Sequence, residues 1–236
     1  VIDHSVSGAA LVTYRQTDME ITMRVIDQGV GIFQKIQNDF NLPDPRSALL
    51  ELSKGKLTSD AKRHTGEGIF FTSRMFESFT LQSAGLAYIR ERIDDTDWLI
   101  DVDDEDPGIG TAVTMVISTN ADWTTSQIFR QYAGDTIRFR KTHVPIKLGR
   151  YPGEQLVSRS QAKRILARFE QFSEVLLDFD GVEDIGQPFA DEIFRVFQTA
   201  HPEIPLTAVR SSIVSRPLLD YLPRPCPLLP LPAPHH

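Results

Sequence analysis

Residues 20–31 read EITMRVIDQGVG, and this stretch decides how the first half of the chain is interpreted. Apolar and polar side chains alternate up to Asp27, as on a half-buried β-strand, with Met23 and Val25 on one face. Glycines follow at positions 29 and 31. A carboxylate before such a tight turn can accept a hydrogen bond from the amino group of a flat ligand such as adenine. A plain strand-to-helix turn, capped by the aspartate, is the alternative interpretation.

The composition indicates an ordinary folded protein. The chain has 236 residues and a net charge of −7, with 41% hydrophobic and 24% charged residues, which argues against overall disorder and a coiled coil. The acidic balance disfavours a protein that coats nucleic acid. A single cysteine, Cys226, excludes an intrachain disulfide framework and a cysteine-rich zinc site. Without a long apolar run or a signal peptide, we expect a cytoplasmic protein and no membrane contact.

The order of predicted elements indicates an α/β protein with two domains. In the first half we predict strands over 10–15, 20–27, 86–92, 98–102 and 111–118, and helices over 45–53 and 68–79. In the second half we predict strands over 136–140, 175–179 and 206–209, and helices over 158–169 and 189–197. In the second half strands and helices alternate along the chain, as in a small α/β unit with its own core.

The domain boundaries follow from changes in composition. We predict a first domain over 1–118, a polar linker over 119–134 and a second domain over 135–222. A proline-rich tail, 223–236, cannot form a helix or a central strand, so we expect it to be disordered, with a proline-rich ligand segment as the alternative. The start at Val1 suggests a fragment or a clipped chain.

A second glycine-rich segment, 54–68, has the composition of an anion site. Gly66 and Gly68 precede a predicted helix, whose free N–H groups and dipole favour a negative ligand. Lys54, Lys56 and His64 come just before the helix and would help to hold a polyphosphate. The segment lacks the Walker A pattern. A solvated basic loop with ordinary helix-entry glycines is the alternative.

The order of these segments resembles the ATP-binding domain of the GHKL superfamily, which includes histidine kinases, anti-sigma-factor kinases and type II topoisomerases. The resemblance rests on VIDHS (1–5), DQGVG (27–31), KGKLTSD (54–60), HTGEGIFFTSR (64–74) and Gly110-Thr111. The two long strings are similar to a bacterial subgroup in which this domain precedes a STAS-like domain, DUF4325. Residues 177–194, LDFDGVEDIGQPFADEIF, resemble the central strand and following helix of that second domain.

The resemblance implies a GHKL-type two-layer α/β sandwich with a mixed sheet, followed by a small STAS-like α/β domain. ATP would bind between the helices and a mobile lid of about residues 33–66, with little apolar burial to hold the empty lid. Asp27 would bind the adenine amino group, and Thr111 would assist through a water molecule. The implied ligand-binding residues are Asp27, Gly29, Gly31, Lys54, Lys56, Thr58, His64, Thr65, Gly66, Gly68 and Thr111.

Two parts of the family pattern are missing from this sequence. The family's Mg²⁺-binding asparagine and general-base glutamate would lie upstream of Val1, so Mg²⁺ is expected only with that upstream segment, and we assign no catalytic or metal-binding residue. Residues 186–188 offer no hydroxyl where related STAS proteins carry a phosphorylated serine. Four nearby acidic residues are interpreted as solvated loop residues, with a magnesium site as the alternative: Asp178, Asp180, Glu183 and Asp184.

The resemblance implies an ATP-binding regulatory protein of bacterial signal transduction or transcription control, in which lid closure is coupled to a protein partner. An anti-sigma-type serine/threonine kinase and a non-catalytic module with a decayed nucleotide site are the alternatives. A homodimer is compatible with this interpretation, and nucleic acid would bind only through an upstream domain. We expect the helix over 189–197 to bury Phe189, Ile193 and Phe197 and to leave Asp191, Glu192 and Arg195 free for docking.

Overall fold

A computed structural model describes residues 8–58, 65–102, 110–133 and 139–210. Their contacts divide the chain into two compact units, Val1–Thr142 and His143–His236. Helices and strands occur in both units, which confirms the α/β class. No helix in the described residues is long and apolar enough to cross a membrane. The predictions for residues 1–5, His64 and the tail 223–236 lie outside the described residues.

The first unit contains a six-stranded sheet in the order β1-β2-β6-β3-β4-β5. All five strand pairings in this sheet are antiparallel. Its strands are β1 Ala10–Gln16, β2 Glu20–Asp27, β3 Ser78–Ser83, β4 Leu86–Glu91, β5 Thr96–Asp101 and β6 Thr111–Ser118.

One face of this sheet forms the core. Phe79 and Leu81 of β3 are fully buried, and their partners on β6 are Met115 and Val113. Pairing of β6 with β2 and of β2 with β1 extends the same face to the first strand. The period-2 alternation predicted for β1 and β2 therefore places alternate side chains of these two strands on the same side of the sheet as the core.

The described residues of the first unit also form the helices α1 Ile32–Phe40, α2 Pro45–Lys54, α3 Gly68–Met75 and α4 Thr125–Ala133. Helices α1 and α3 pack against β3, and α2 packs against β4. Asp44 caps α2 by accepting a hydrogen bond from the backbone nitrogen of Ser47 at 2.7 Å, with Pro45 at the first helical position as predicted.

Two predictions within residues 33–79 need correction. The helix predicted over 68–79 ends at Met75, and Phe79 lies in β3, where residues alternate between buried and half-buried. The mobile lid predicted over 33–66 contains α1 and α2, which carry buried Phe33, Ile36, Leu49 and Leu50. Apolar burial therefore holds residues 33–54 in place, and the prediction of little burial does not apply to them.

The predicted linker, 119–134, contains a packed helix. On α4, Ile128 and Tyr132 are buried, and the Tyr132 ring meets the Phe70 ring edge to face at 5.0 Å between centroids. Asn120, Asp122 and Thr124, which favour a linker, lie in the irregular segment before this helix, so the polar character applies only to the start of 119–134. The segment belongs to the first unit, whose contacts continue to Thr142.

The second unit contains a three-stranded sheet in the order β7-β8-β9, in which β8 and β9 are parallel. Ser158 and Gln161 form the predicted capping box at the start of α5. A longer helical segment, α6, runs from Gln187–Asp191 through a π-helical stretch, Glu192–Phe197, to Gln198–Ala200. The other bounds are β7 Lys141–Pro145, α5 Arg159–Leu166, β8 Glu174–Asp178 and β9 Leu206–Val209.

The expected docking face of α6 is largely buried. Phe189 and Ile193 are fully buried as predicted, but Asp191 and Glu192 are only 8% and 6% exposed. Asp191 accepts hydrogen bonds from Arg159 of α5 at 2.9 Å and from Arg195 at 2.7 Å. These two acidic residues join α6 to α5, so the prediction of a free acidic face is wrong.

Reversing the charge of Asp191 should destabilise the second unit. Asp191→Lys removes the acceptor for two arginines and adds a third cation at a buried position, so we expect a loss of about 1–3 kcal/mol. Glu183→Lys, at an exposed acidic residue of the same unit, is the control and should cost less than about 0.5 kcal/mol. Urea denaturation measures both, and equal midpoints for the two variants would contradict the structural role of Asp191.

Candidate functional site

Asp27 ends β2 and is the centre of the candidate site. The residue is 3% exposed, and its Oδ1 atom accepts a hydrogen bond from the backbone nitrogen of Gly29 at 2.8 Å. The carbonyl oxygen of Asp27 accepts from the backbone nitrogen of Gly110 at 2.9 Å. Among the described residues, no hydrogen bond to the second carboxylate oxygen, Oδ2, is found. One acceptor of a nearly buried carboxylate is therefore available to a ligand.

The turn after Asp27 lies against the start of β6 with no room for side chains. A Cβ atom built on Gly110 would lie 2.5 Å from the nitrogen of Gly29. Gly31 has a φ of +81°, and a Cβ atom there would lie 2.5 Å from Oγ of Ser83 and 2.8 Å from the carbonyl oxygen of Gly110. Glycine is required at both positions, at Gly110 by close backbone approach and at Gly31 by conformation as well.

Thr111 joins the strand end to the helix that follows the turn. It is the register partner of Asp27 across β2 and β6 and is buried. Its Oγ1 atom accepts a hydrogen bond from the backbone nitrogen of Ile32, the first residue of α1, at 3.0 Å. The structure thus brings together Asp27, Gly29, Gly31 and Thr111, as the resemblance implied.

Ser83 also belongs to this cluster, although sequence reasoning did not select it. Its hydroxyl is buried at the end of β3 and donates a hydrogen bond to the carbonyl oxygen of Gly110 at 2.8 Å. The contact depends on the pairing of β3 with β6, which joins residues 27 positions apart. A single serine at a strand end carries no sequence signal for such a contact.

The second glycine segment forms a separate close contact. Gly66 has a φ of +71°, and a Cβ atom on it would lie 2.5 Å from the nitrogen of Leu57. Residues 65–66 therefore lie beside the chain segment that contains Lys56 and Thr58. Gly68 opens α3, is exposed, and has no atom within 4 Å of a built Cβ atom. The start of α3 has no side-chain cap.

The two predicted lysines have different surroundings. Lys54 is fully buried at the end of α2, and its Nζ atom donates to Oε1 of Glu51 at 2.6 Å. The positive charge of Lys54 is therefore paired with Glu51 inside the fold. Lys56 is half-buried, with Nζ 5.6 Å from the centroid of the Phe139 ring. Thr65 is exposed.

Disrupting the close contact between the backbones of Gly110 and Gly29 should destabilise the first unit. Gly110→Ala places a methyl group against the backbone of Gly29, and such overpacking costs about 1–3 kcal/mol. Gly68→Ala is the matched control, because its methyl group would meet open space in the first turn of a helix. Chemical denaturation should show the loss for Gly110→Ala alone. A stable Gly110→Ala protein would mean that the two chain segments do not approach as closely as described.

The second unit contains a buried polar cluster built from all three strands of its sheet. Asp178, at the end of β8, is 1% exposed. His143 of β7 lies with Nε2 3.0 Å from Oδ2 of Asp178, and Arg210, just after β9, donates to Oδ1 at 3.0 Å. Burial alone would raise the pKa of Asp178, but hydrogen bonds from His143 and Arg210 outweigh it and hold that pKa well below its usual value.

The four acidic residues considered as a magnesium site have separate roles. Asp178 is committed to His143 and Arg210, and Asp180 accepts from Nζ of Lys147 at 2.8 Å. Glu183 and Asp184 line a surface cavity of about 300 Å³ with Arg150 and Glu154. Within residues 8–58, 65–102, 110–133 and 139–210, no group of three or more acidic, histidine or cysteine residues is arranged to hold a metal ion.

Acid should remove the stabilisation that Asp178 provides. The pKa of Asp178 is lowered in the folded state, so its contribution is complete above the usual aspartate value near 4 and falls as the pH drops towards the lowered pKa. Asp178→Asn should therefore cost about 1–3 kcal/mol at pH 7 and progressively less below pH 4.

Denaturation of wild-type and Asp178→Asn protein from pH 7 to pH 2 measures this dependence. Asp180→Asn is the control, because its ion pair with Lys147 lies nearer the surface, and it should change stability by less than about 1 kcal/mol. A wild-type advantage over Asp178→Asn that stays constant down to pH 2 would contradict the role of the ionised carboxylate.

Comparison with known proteins identifies part of the second unit. Residues 161–214 match the family model described as a STAS-like domain of unknown function (DUF4325). The matched residues include most of α5 and all of β8, α6 and β9. This match confirms the STAS-like prediction for that segment. Neither the curated proteins nor the solved structures compared with the chain contain a match. The GHKL resemblance of the first unit stays a prediction.

Proposed function

We propose that the first unit binds an adenine nucleotide at the end of β2, and that the protein is an ATP-binding regulator of bacterial signal transduction or transcription control. Asp27 carries this proposal. Asp27 is nearly buried, one of its oxygens is bonded to its own turn, and the other has no hydrogen-bond partner among the described residues. Such a carboxylate is suited to accept one hydrogen bond from a planar donor.

The glycines beside Asp27 support the proposal by fixing the position of the carboxylate. Because Gly31 and Gly110 carry no side chains, the turn packs directly against the backbone at the start of β6 and holds Asp27 at the strand end. Thr111 is held next to Asp27 by strand pairing, and its hydroxyl is positioned by Ile32. In the proposed complex Asp27 accepts from the adenine amino group, and Thr111 assists through a water molecule.

The phosphate groups are proposed to bind near the start of α3. Exposed Gly68 and an uncapped helix N-terminus provide free N–H groups and the positive end of the helix dipole. Lys56, Thr58 and Thr65 lie on the two chain segments joined by the contact between Gly66 and Leu57. Lys56 is the proposed cation, since the charge of Lys54 is already paired with Glu51 inside the fold.

The proposal concerns binding and signalling, and it assigns no catalytic residue to this chain. Mg²⁺ neutralises charge on a triphosphate when it accompanies ATP. In the proposed mechanism, the γ-phosphate draws residues 55–58 and 65–67 towards the nucleotide. A protein partner then binds the altered surface. The STAS-like segment is the proposed site of protein recognition, without a phosphoacceptor at residues 186–188.

Replacing Asp27 by asparagine should weaken adenine nucleotide binding by about tenfold or more. The amide oxygen can still accept from Gly29, so the turn is kept, while the amide NH₂ group replaces Oδ2 and opposes the adenine amino donor. Isothermal titration calorimetry with ATP measures the loss. Wild-type protein should also prefer ATP over GTP, because guanine lacks an amino donor at that edge.

Asp18→Asn is the control for this substitution. Asp18 is exposed in the turn before β2, at the opposite end of that strand from Asp27, so its replacement should leave ATP affinity unchanged. Thermal denaturation of both variants checks that the fold is retained. Equal ATP affinity for wild-type and Asp27→Asn protein, or equal affinity of the wild type for ATP and GTP, would overturn the assignment.

A further inference from the structure

Strand β1 is an exposed apolar edge of the six-stranded sheet. All seven of its residues are exposed, and Leu11, Val12 and Tyr14 have exposed fractions of 60%, 65% and 59%. Within the described part of the chain, β2 is the one strand that pairs with β1. The outer backbone groups of β1 are therefore available to another strand.

The apolar face of the sheet continues onto β1 beyond the part that the helices cover. Tyr14 pairs with Met23, Met23 with Met115, and Met115 with Phe79, so these four side chains share one face. Phe79 is fully buried, Met115 and Met23 are half-buried, and Tyr14 is exposed. The core face thus becomes progressively more accessible towards β1.

This edge lacks the usual protection against pairing. Edge strands are commonly interrupted by proline, lysine or a bulge. β1 reads ALVTYRQ and pairs with β2 without interruption over seven consecutive residues. Arg15 is the one charged residue of the strand and forms an ion pair with Glu20 at 3.1 Å.

We propose that β1 is the interface between two copies of this chain, whose β1 strands pair antiparallel about a two-fold axis at Thr13. In this register Val12 of one copy lies opposite Tyr14 of the other, a favourable pair of β-branched and aromatic side chains. Leu11 lies opposite Arg15, and Ala10 opposite Gln16. The two sheets become one twelve-stranded sheet with a continuous apolar face.

The sequence of β1 favours a second copy as the occupant of this edge. A two-fold dimer requires a surface that complements itself, and antiparallel pairing about Thr13 uses all seven residues while keeping each Arg15 away from its counterpart. Parallel pairing in register would place the two arginines opposite each other, which is unfavourable. Pairing shifted by one residue would join the apolar face of one copy to the outer face of the other.

Disulfide trapping tests the register in the full chain with Cys226→Ser as background. Directly opposite residues have Cα atoms about 4.5–5.5 Å apart, within the range for a disulfide. Thr13→Cys should therefore give a covalent dimer under mild oxidation. Ala10→Cys alone should not, because the two copies of residue 10 would be about 20 Å apart. A mixture of Ala10→Cys and Gln16→Cys chains should cross-link as a heterodimer.

Sedimentation velocity tests the surface itself. One strand pair is smaller than a standard interface of about 1,600 Å², so we expect dimers that dissociate at micromolar concentrations. Tyr14→Lys and Val12→Lys should each shift the protein to monomer, whereas Trp98→Lys on the opposite edge strand, β5, should not. Trp98 is 51% exposed, so its replacement by lysine also removes a large exposed apolar side chain from an edge strand.

Three results would overturn the proposal. The first is a wild-type chain that stays monomeric at about 100 µM. The second is cross-linking of Ala10→Cys as efficient as that of Thr13→Cys. The third is dissociation by Trp98→Lys while Tyr14→Lys remains dimeric. Because all five β1 side chains that are substituted are exposed, circular dichroism should show the same folded content in every variant. The outcome does not depend on nucleotide binding.

Discussion

The close approach of the Asp27 turn to the start of β6 is the contact on which the first unit depends. Gly110 can lie against Gly29 only because it has no side chain. That approach allows the backbone nitrogen of Gly110 to reach the carbonyl oxygen of Asp27, and it brings Thr111 to the start of α1. The strand pairing, the direction of the first helix and the position of the nearly buried carboxylate all follow from this backbone contact.

The two units stabilise a buried aspartate at a strand end in different ways. Asp178 in the second unit accepts from His143 and Arg210, so its charge is compensated within the fold. Asp27 accepts from the backbone of its own turn through one oxygen, while the other has no partner among the described residues. This difference separates a carboxylate that holds a sheet together from one that is available to a ligand.

Local patterns predicted β2, which ends at Asp27, and β6, which begins beside its turn. They also predicted the cap of α2 by Asp44 and the capping box at Ser158, because these signals lie within a few neighbouring residues. The same reasoning gives no helix over α1, and it assigns both α1 and the correctly predicted α2 to a mobile lid. Polar residues dominate that segment, and its few apolar side chains, such as Phe33 and Leu49, are buried only once the sheet is present. It also missed Ser83, whose partner, Gly110, is distant in sequence.

The sequence by itself determined the α/β class, the glycines that a tight turn requires and the STAS-like character of residues 161–214. The first two depend on residue type and short-range spacing, and the third rests on the resemblance of this segment to a known family. Tertiary structure alone decided which charged residues are paired inside the fold. Lys54, Asp191 and Asp178 look like surface residues in the sequence, yet each is buried beside an opposite charge. Burial of a charged side chain depends on partner residues that folding brings together, and no local sequence pattern identifies those partners.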